Sequence, residues 1–209
     1  MIGVIDYEAG NAPSVGYALD RIGVEYRFVG SPDEVAAVDH LILPGVGAAR
    51  ATLRSLRQSD LLEILEERVM RERVPFLGIC IGLQVLFDHS EEADTPCLGW
   101  VAGNVRLFAN DRRVPQIGWN EVRFAQDDQA PHPFVDGLPR TGGYFYFVNS
   151  YYAVPAAPEV ILGATEYGHS FCSVVARDNI VATQFHAEKS GQLGLRLLEN
   201  FARWDGRPC

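Results

Sequence analysis

The stretch VPFLGICIGLQVLF, residues 74–87, decides how the rest of the chain is organised. A continuous apolar run from Val74 to Ile79 has the length of a buried strand. A helical pattern from Gly82 to Phe87 follows at once, across a single cysteine. Cys80 stands at the centre of Gly-x-Cys-x-Gly, the cysteine form of the Gly-x-Ser-x-Gly turn that lifts a nucleophile out of a parallel sheet. The glycines have a steric reason: a side chain at Gly78 or Gly82 would collide with the neighbouring strand and helix. The turn also sets the sulfur near a helix N-terminus, where the peptide dipoles favour thiolate over thiol. An isolated cysteine is more often a small buried hydrophobe. In this strand–turn–helix setting it reads as a nucleophile.

Upstream of that turn, strand-like and helical segments alternate. Residues 2–6 read as a strand, and Pro13 and Ser14 can open the helix after it. Residues 24–29 give a second strand, and Leu41 to Leu43 a short buried one halted by Pro44-Gly45. Residues 48–71 carry Leu53, Leu56, Leu61, Leu62, Leu65 and Val69 near helical spacing, which predicts one long amphipathic helix. Apolar strands alternating with helices imply a mostly parallel central sheet covered on both faces, an α/β three-layer sandwich. Downstream, residues 101–108, 121–124, 144–152, 160–167, 171–176 and 180–185 are strand-like, and turn signals separate them. These are expected as antiparallel additions on an edge of the sheet, with a last helix over 192–204. No repeat, low-complexity tract or linker interrupts the chain, so residues 1–209 read as one domain.

Composition narrows the function. The 209 residues are 47% hydrophobic and 22% charged, ordinary for a soluble protein and enough to bury a core and shelter a cleft. A net charge of -9 argues against phosphate-driven nucleic-acid binding and against a polybasic membrane-surface protein. The start, MIGVIDYEAG, lacks the basic region of a secretory signal. The longest apolar stretch, Phe76 to Phe87, is well short of the roughly 18 residues of a membrane span. A cytosolic location is therefore expected. Cys80, Cys97, Cys172 and Cys209 form no paired spacing and are expected as thiols without structural zinc. His40, His89, His132 and His169 show no metal-ligand spacing and no phosphate-binding loop motif is present, so neither metal nor cofactor is expected.

Two further motifs join Cys80. In QFHAEKS, residues 184–190, His186 and Glu188 are two apart, so on a strand they project from one face. A carboxylate there can fix the imidazole tautomer and leave the other ring nitrogen for the thiol. His-x-Glu alone also fits an exposed polar strand end; the nucleophile motif gives it meaning. In LILPGVGAAR, residues 41–50, a strand ends in Pro-Gly-x-Gly, which leaves backbone N–H groups free in a turn. The amides of Val46 and Ile81 can then together form an oxyanion hole. The aromatic run YFYFVNSYY reads as a core strand with alternate rings on opposite sides.

The trio PGVG, GICIGLQ and QFHAEKS resembles the class I, triad-type glutamine amidotransferases, over nearly the whole chain. GNAPSV, VPQIGWNEV at 114–122 and YFYFVNSYY resemble, within that family, the glutaminase subunits of imidazole glycerol phosphate synthases, which serve histidine biosynthesis. The resemblance implies Cys80 as nucleophile, His186 as base, Glu188 as its partner and Val46 and Ile81 as oxyanion amides. It further implies Gly47, Gln84, Ser150 and Tyr151 in a glutamine pocket. Asn11, Trp119, Asn120 and Lys189 match positions near a (β/α)-barrel cyclase subunit that receives ammonia through an internal passage. Two positions depart from the family pattern: Asn149 replaces the usual histidine before Ser150-Tyr151, and Ala187 replaces the usual proline between His186 and Glu188. Competing readings are the glutaminase subunit of another amidotransferase complex, a stand-alone cysteine hydrolase on the same scaffold, and an inactive binding subunit.

Overall fold

A computed structural model of the chain describes residues 1–7, 11–109, 112–125, 132–139 and 141–207. The first half gives β1 (Ile2–Ile5), α1 (Ala12–Arg21), β2 (Tyr26–Val29), α2 (Pro32–Ala36), β3 (His40–Leu43), α3 (Ala49–Gln58), α4 (Leu61–Glu66), β4 (Phe76–Ile79) and the single-turn α5 (Ile81–Gln84). The second half gives β5 (His89–Ser90), β6 (Thr95–Pro96), β7 (Gly103–Leu107), β8 (Gln116–Phe124), β9 (Gly143–Asn149), β10 (Tyr151–Pro155), β11 (Ile161–Glu166), β12 (Ser170–Arg177) and β13 (Ile180–Thr183), closed by α6 (Gly191–Arg203).

The sheet runs β2-β1-β3-β4-β13-β12-β10-β7-β5-β6, and β11, β8 and β9 branch off β12. Every pairing from β2 to β13 is parallel, and β12 then turns the sheet antiparallel. Strand alternation splits the core into two layers. Ile42 and Leu77 face Val15 and Leu19 of α1 and Leu197, Leu198 and Phe201 of α6. Their neighbours Leu41, Leu43 and Phe76 face Leu53 and Leu56 of α3 and Leu61 and Leu65 of α4. Each such fully buried side chain contributes about 2 kcal/mol of transfer free energy. The result is the expected three-layer α/β sandwich with antiparallel additions. It places the C-terminal ends of β3, β4 and β13 side by side.

Several elements differ from the sequence reading. The helix expected over 48–71 is broken: α3 ends at Gln58, Asp60 takes φ +55°, α4 begins, and Glu67–Arg71 form a π-helical turn. Apolar spacing survives the break, so periodicity alone does not reveal it. Strand β8 begins at Gln116 rather than Glu121, because Gly118 (φ +133°) stays in the ladder opposite Phe147. The aromatic run is two strands that part at Ser150. In β9 the alternation holds: Phe145 and Phe147 are buried while Tyr144 and Val148 are exposed. No helix among the described residues is long and apolar enough to cross a membrane.

Candidate active site

Cys80 occupies the turn between β4 and α5 with φ 56° and ψ -105°, a conformation that ordinary side chains rarely adopt. The surroundings enforce it. Its N–H donates to the Thr183 carbonyl at 2.7 Å, pinning the turn to the end of β13, and its carbonyl accepts from Leu83 and Gln84. A methyl group on Gly78 would come 2.5 Å from the Gly82 carbonyl oxygen, and one on Gly82 would overlap the Leu43 carbonyl of β3. Both glycines are therefore there for close approach, as their spacing implied. The helix after Cys80 is one turn, shorter than the 82–87 pattern suggested, so the field at the sulfur is that of a few aligned peptides.

The strand leading to His186 ends at Thr183, and Ala187–Lys189 form a 3₁₀ turn. His186 and Glu188 therefore meet across a turn, not along the face of a strand. His186 Nδ1 and Glu188 Oε1 are 2.8 Å apart, with the Glu188 side chain wholly buried. Alanine at 187 permits this contact. The turn is clamped from two sides. Gly194 of α6 lies so close that a methyl there would overlap the Ala187 carbonyl. The Ser190 hydroxyl donates to the His186 carbonyl at 2.6 Å and accepts from Tyr146 N–H at 3.0 Å, while His186 N–H donates to the Tyr146 carbonyl at 2.9 Å.

Burial lowers the basicity of the His186 ring, yet the neighbouring Cys80 sulfur and Glu188 carboxylate outweigh that and raise it to about 9. Burial pushes the other two described thiols up, Cys97 to about 11 and Cys172 to about 12. These two are inert at neutral pH by the same physics.

The Pro44–Gly47 turn packs directly on the cysteine turn. A side chain on Gly45 would overlap Ile81, and the Tyr7 hydroxyl donates to the Pro44 carbonyl at 3.0 Å. Burial pushes Tyr7 up to about 12, so this donor stays protonated at working pH. Gly47 takes φ +92°, where glycine is favoured. A cavity of about 260 Å³ results, with Val46, Gly47, Cys80, Ile81, Gln84, Ser150, Tyr151 and His186 in its wall. All eight positions anticipated for catalysis at the cavity wall, oxyanion binding and the glutamine pocket are thus brought together, and Glu188 stands behind His186. Cys80 is 7% exposed and lines this cavity.

The structure adds residues that the sequence did not single out. Glu92 lines the cavity and accepts from the Ala49 amide at 2.8 Å, which holds the start of α3 beside the Pro-Gly turn. Gln184, wholly buried, points its Nε2 at the Cys80 sulfur at 3.8 Å. Gln84 Nε2 donates to the Gln184 Oε1 at 3.0 Å and to the Tyr151 carbonyl at 3.2 Å. The anticipated pocket residue therefore acts by holding its neighbours. The side chain of Asn149 also donates to the Tyr151 carbonyl, at 2.9 Å. A glutamine two residues before a histidine carries no signal of its own, and Glu92 lies in a run of acids.

The four positions matched to a partner face separate. Trp119 is 56% exposed and packs edge-on against Tyr146, and Lys189 is exposed. Asn120 donates to the Glu166 carbonyl at 2.9 Å and accepts from the Glu121 amide, so its side chain holds local backbone. Asn11 turns inward and donates to Glu188 Oε1 at 2.6 Å.

Comparison with known proteins identifies the family. The family model for class-I glutamine amidotransferases matches residues 3–204. The chain is 44% identical over 202 residues to the imidazole glycerol phosphate synthase subunit HisH of Dehalococcoides mccartyi, covering 96% of each. It is 46% identical to the subunit of that name in Herpetosiphon aurantiacus, covering 96% of this chain and 93% of the other. Among solved structures, a glutamine amidotransferase superposes with a TM-score of 0.74 at 21% identity, covering 96% of both chains. PurLQS from Thermotoga maritima superposes with a TM-score of 0.72 at 15% identity, again covering 96% of both. These two show the fold alone. A family match spanning nearly every residue, with full-length relatives sharing more than two residues in five, settles the kinship: the chain belongs to the class-I glutamine amidotransferases.

Proposed function

We propose that this chain is the glutaminase subunit of an imidazole glycerol phosphate synthase. It hydrolyses glutamine to glutamate and passes the ammonia to a (β/α)-barrel cyclase subunit. The relatives named as that synthase's subunit support the assignment. The observation that carries the chemistry is the His186 ring, set between a wholly buried carboxylate and the Cys80 sulfur at the wall of one cavity. The cavity lies just below the range of about 300–1,000 Å³ common for ligand sites, in keeping with one small amino acid.

His186 takes the Cys80 proton, and the sulfur attacks the carboxamide carbon of glutamine. With Glu188 on Nδ1, the imidazolium that forms is held and stabilised. The amides of Val46 and Ile81 receive the tetrahedral oxyanion, worth about 3 kcal/mol per donor. As that intermediate collapses the C–N bond breaks, His186 protonates the leaving nitrogen, and ammonia departs. Water, deprotonated by the same ring, then cleaves the thioester and releases glutamate. Gly47, Gln84, Ser150 and Tyr151 shape the pocket for the amino-acid end. The nucleophile must remain a thiol, which suits a reducing cytoplasm. Trp119, Asn120 and Lys189 lie toward the cyclase.

In the complex, Cys80→Ala abolishes glutamine-dependent synthesis while synthesis from added ammonium persists. Continued glutamine hydrolysis by that variant would remove the cysteine from the mechanism.

A further inference from the structure

We infer that Asn11 is a positioning residue of the catalytic centre, acting through the Glu188 carboxylate and not primarily as part of an outer contact surface. The inference rests on the glutaminase reading above. Asn11 Nδ2 donates to Glu188 Oε1 at 2.6 Å, the same oxygen that His186 Nδ1 approaches at 2.8 Å. The carboxylate side chain is wholly buried, and among the described residues its second oxygen has no hydrogen-bond partner. Among the described residues, Asn11 therefore supplies one of the two side-chain hydrogen bonds holding that charge. A buried carboxylate with a single donor is poorly stabilised and free to rotate, and each rotation takes its oxygen off the imidazole.

The ordinary structural explanation for an asparagine at this position does not hold. Asn11 is the N-cap of α1, where an asparagine usually accepts from the first turn's amides through its side chain. Here no such cap bond forms; the backbone carbonyl of Asn11 receives the Ser14 and Val15 amides, and the side chain is left to reach Glu188. Helix α1 packs against the turn carrying Glu188, which fixes the distance between them. Among the described residues the ionisable group bonded to that carboxylate is His186, with Cys80 beyond it; Lys189 is adjacent in sequence and exposed.

The test is steady-state glutamine hydrolysis by the chain in complex with its cyclase subunit, followed across pH for three variants. Asn11→Ala lowers kcat by about 10-fold to 100-fold with little change in KM, the size found when the hydrogen-bond partner that orients a metal-bound histidine or carboxylate is removed, a comparable positioning role. Asn11→Ser keeps a good N-cap residue but is too short to reach Glu188, so it behaves like the alanine variant. Asn11→Asp sets a second carboxyl against Glu188. It donates only while protonated, so its activity relative to Asn11→Ala rises as pH falls. Wild-type kcat in the serine or alanine variant overturns the inference, as does an aspartate variant that tracks alanine at every pH. Wild-type protein that releases no glutamate overturns the glutaminase reading itself, a separate outcome.

Discussion

At the scale of single residues the account turns on His186. Its ring is raised to about 9 from an ordinary value near 6.5, and Cys80 is one of the two groups responsible. A group whose folded-state basicity is raised contributes stability that is fully present below about pH 6.5 and is lost as pH rises through about 9. The wild-type melting temperature should therefore fall across that window, and it should fall less in Cys80→Ser, where one source of the shift is weakened. Thermal melts at matched ionic strength check this; equal slopes would contradict it. Glu188→Gln should lower kcat by about 10²-fold to 10⁴-fold with the fold intact, because an amide N–H turned toward Nδ1 selects the wrong tautomer. Glutaminase assays beside circular dichroism read both parts. Gly78, Cys80 and Gly82 were legible in the sequence because sterics leave so few residues able to make this turn. Gln184 and Glu92 were not, and Asn11 was read only as part of a partner face, because their contacts join segments far apart in the chain.

At the scale of elements, the turn bearing His186 and Glu188 is held in place by α6. Gly194 sits inside a helix, where alanine would ordinarily be favoured by about 1 kcal/mol. Packing overrides propensity there, since a methyl would overlap the Ala187 carbonyl. Gly194→Ala is expected to destabilise by about 1–3 kcal/mol, as overpacking does, and to depress kcat because the displaced turn carries the base. Chemical denaturation and a glutaminase assay test the two effects together; a stabilised, fully active variant would refute the clamp. The elements also show where sequence reading stops. The parallel strands were legible from unbroken apolar runs. The break at Asp60 was not, because Leu61 and Leu65 continue the helical spacing across a left-handed residue that aspartate tolerates. The His-x-Glu spacing pointed to the right pair on the wrong geometry, since a 3₁₀ turn also brings residues two apart within reach.

At the scale of the whole molecule, the β8–β9 hairpin presents Ile117, Trp119, Tyr144 and Val148 to solvent, beside the strand whose Val148 carbonyl lies 4.0 Å from the Cys80 sulfur. Apolar patches of this kind mark association surfaces. On the proposed function this face meets the cyclase, and Trp119→Ala should weaken association by about 2 kcal/mol or more while leaving the melting temperature unchanged. Calorimetric titration against the cyclase reads it directly. The central claim, however, is that one thiol of this chain becomes acylated by glutamine. Rapid acid quench of the complex during turnover, followed by peptide mass spectrometry, tests it most directly. The account predicts a glutamyl thioester on the peptide containing Cys80, absent in His186→Ala. Glutamate release with no adduct, or with the adduct on Cys97 or Cys172, would contradict it.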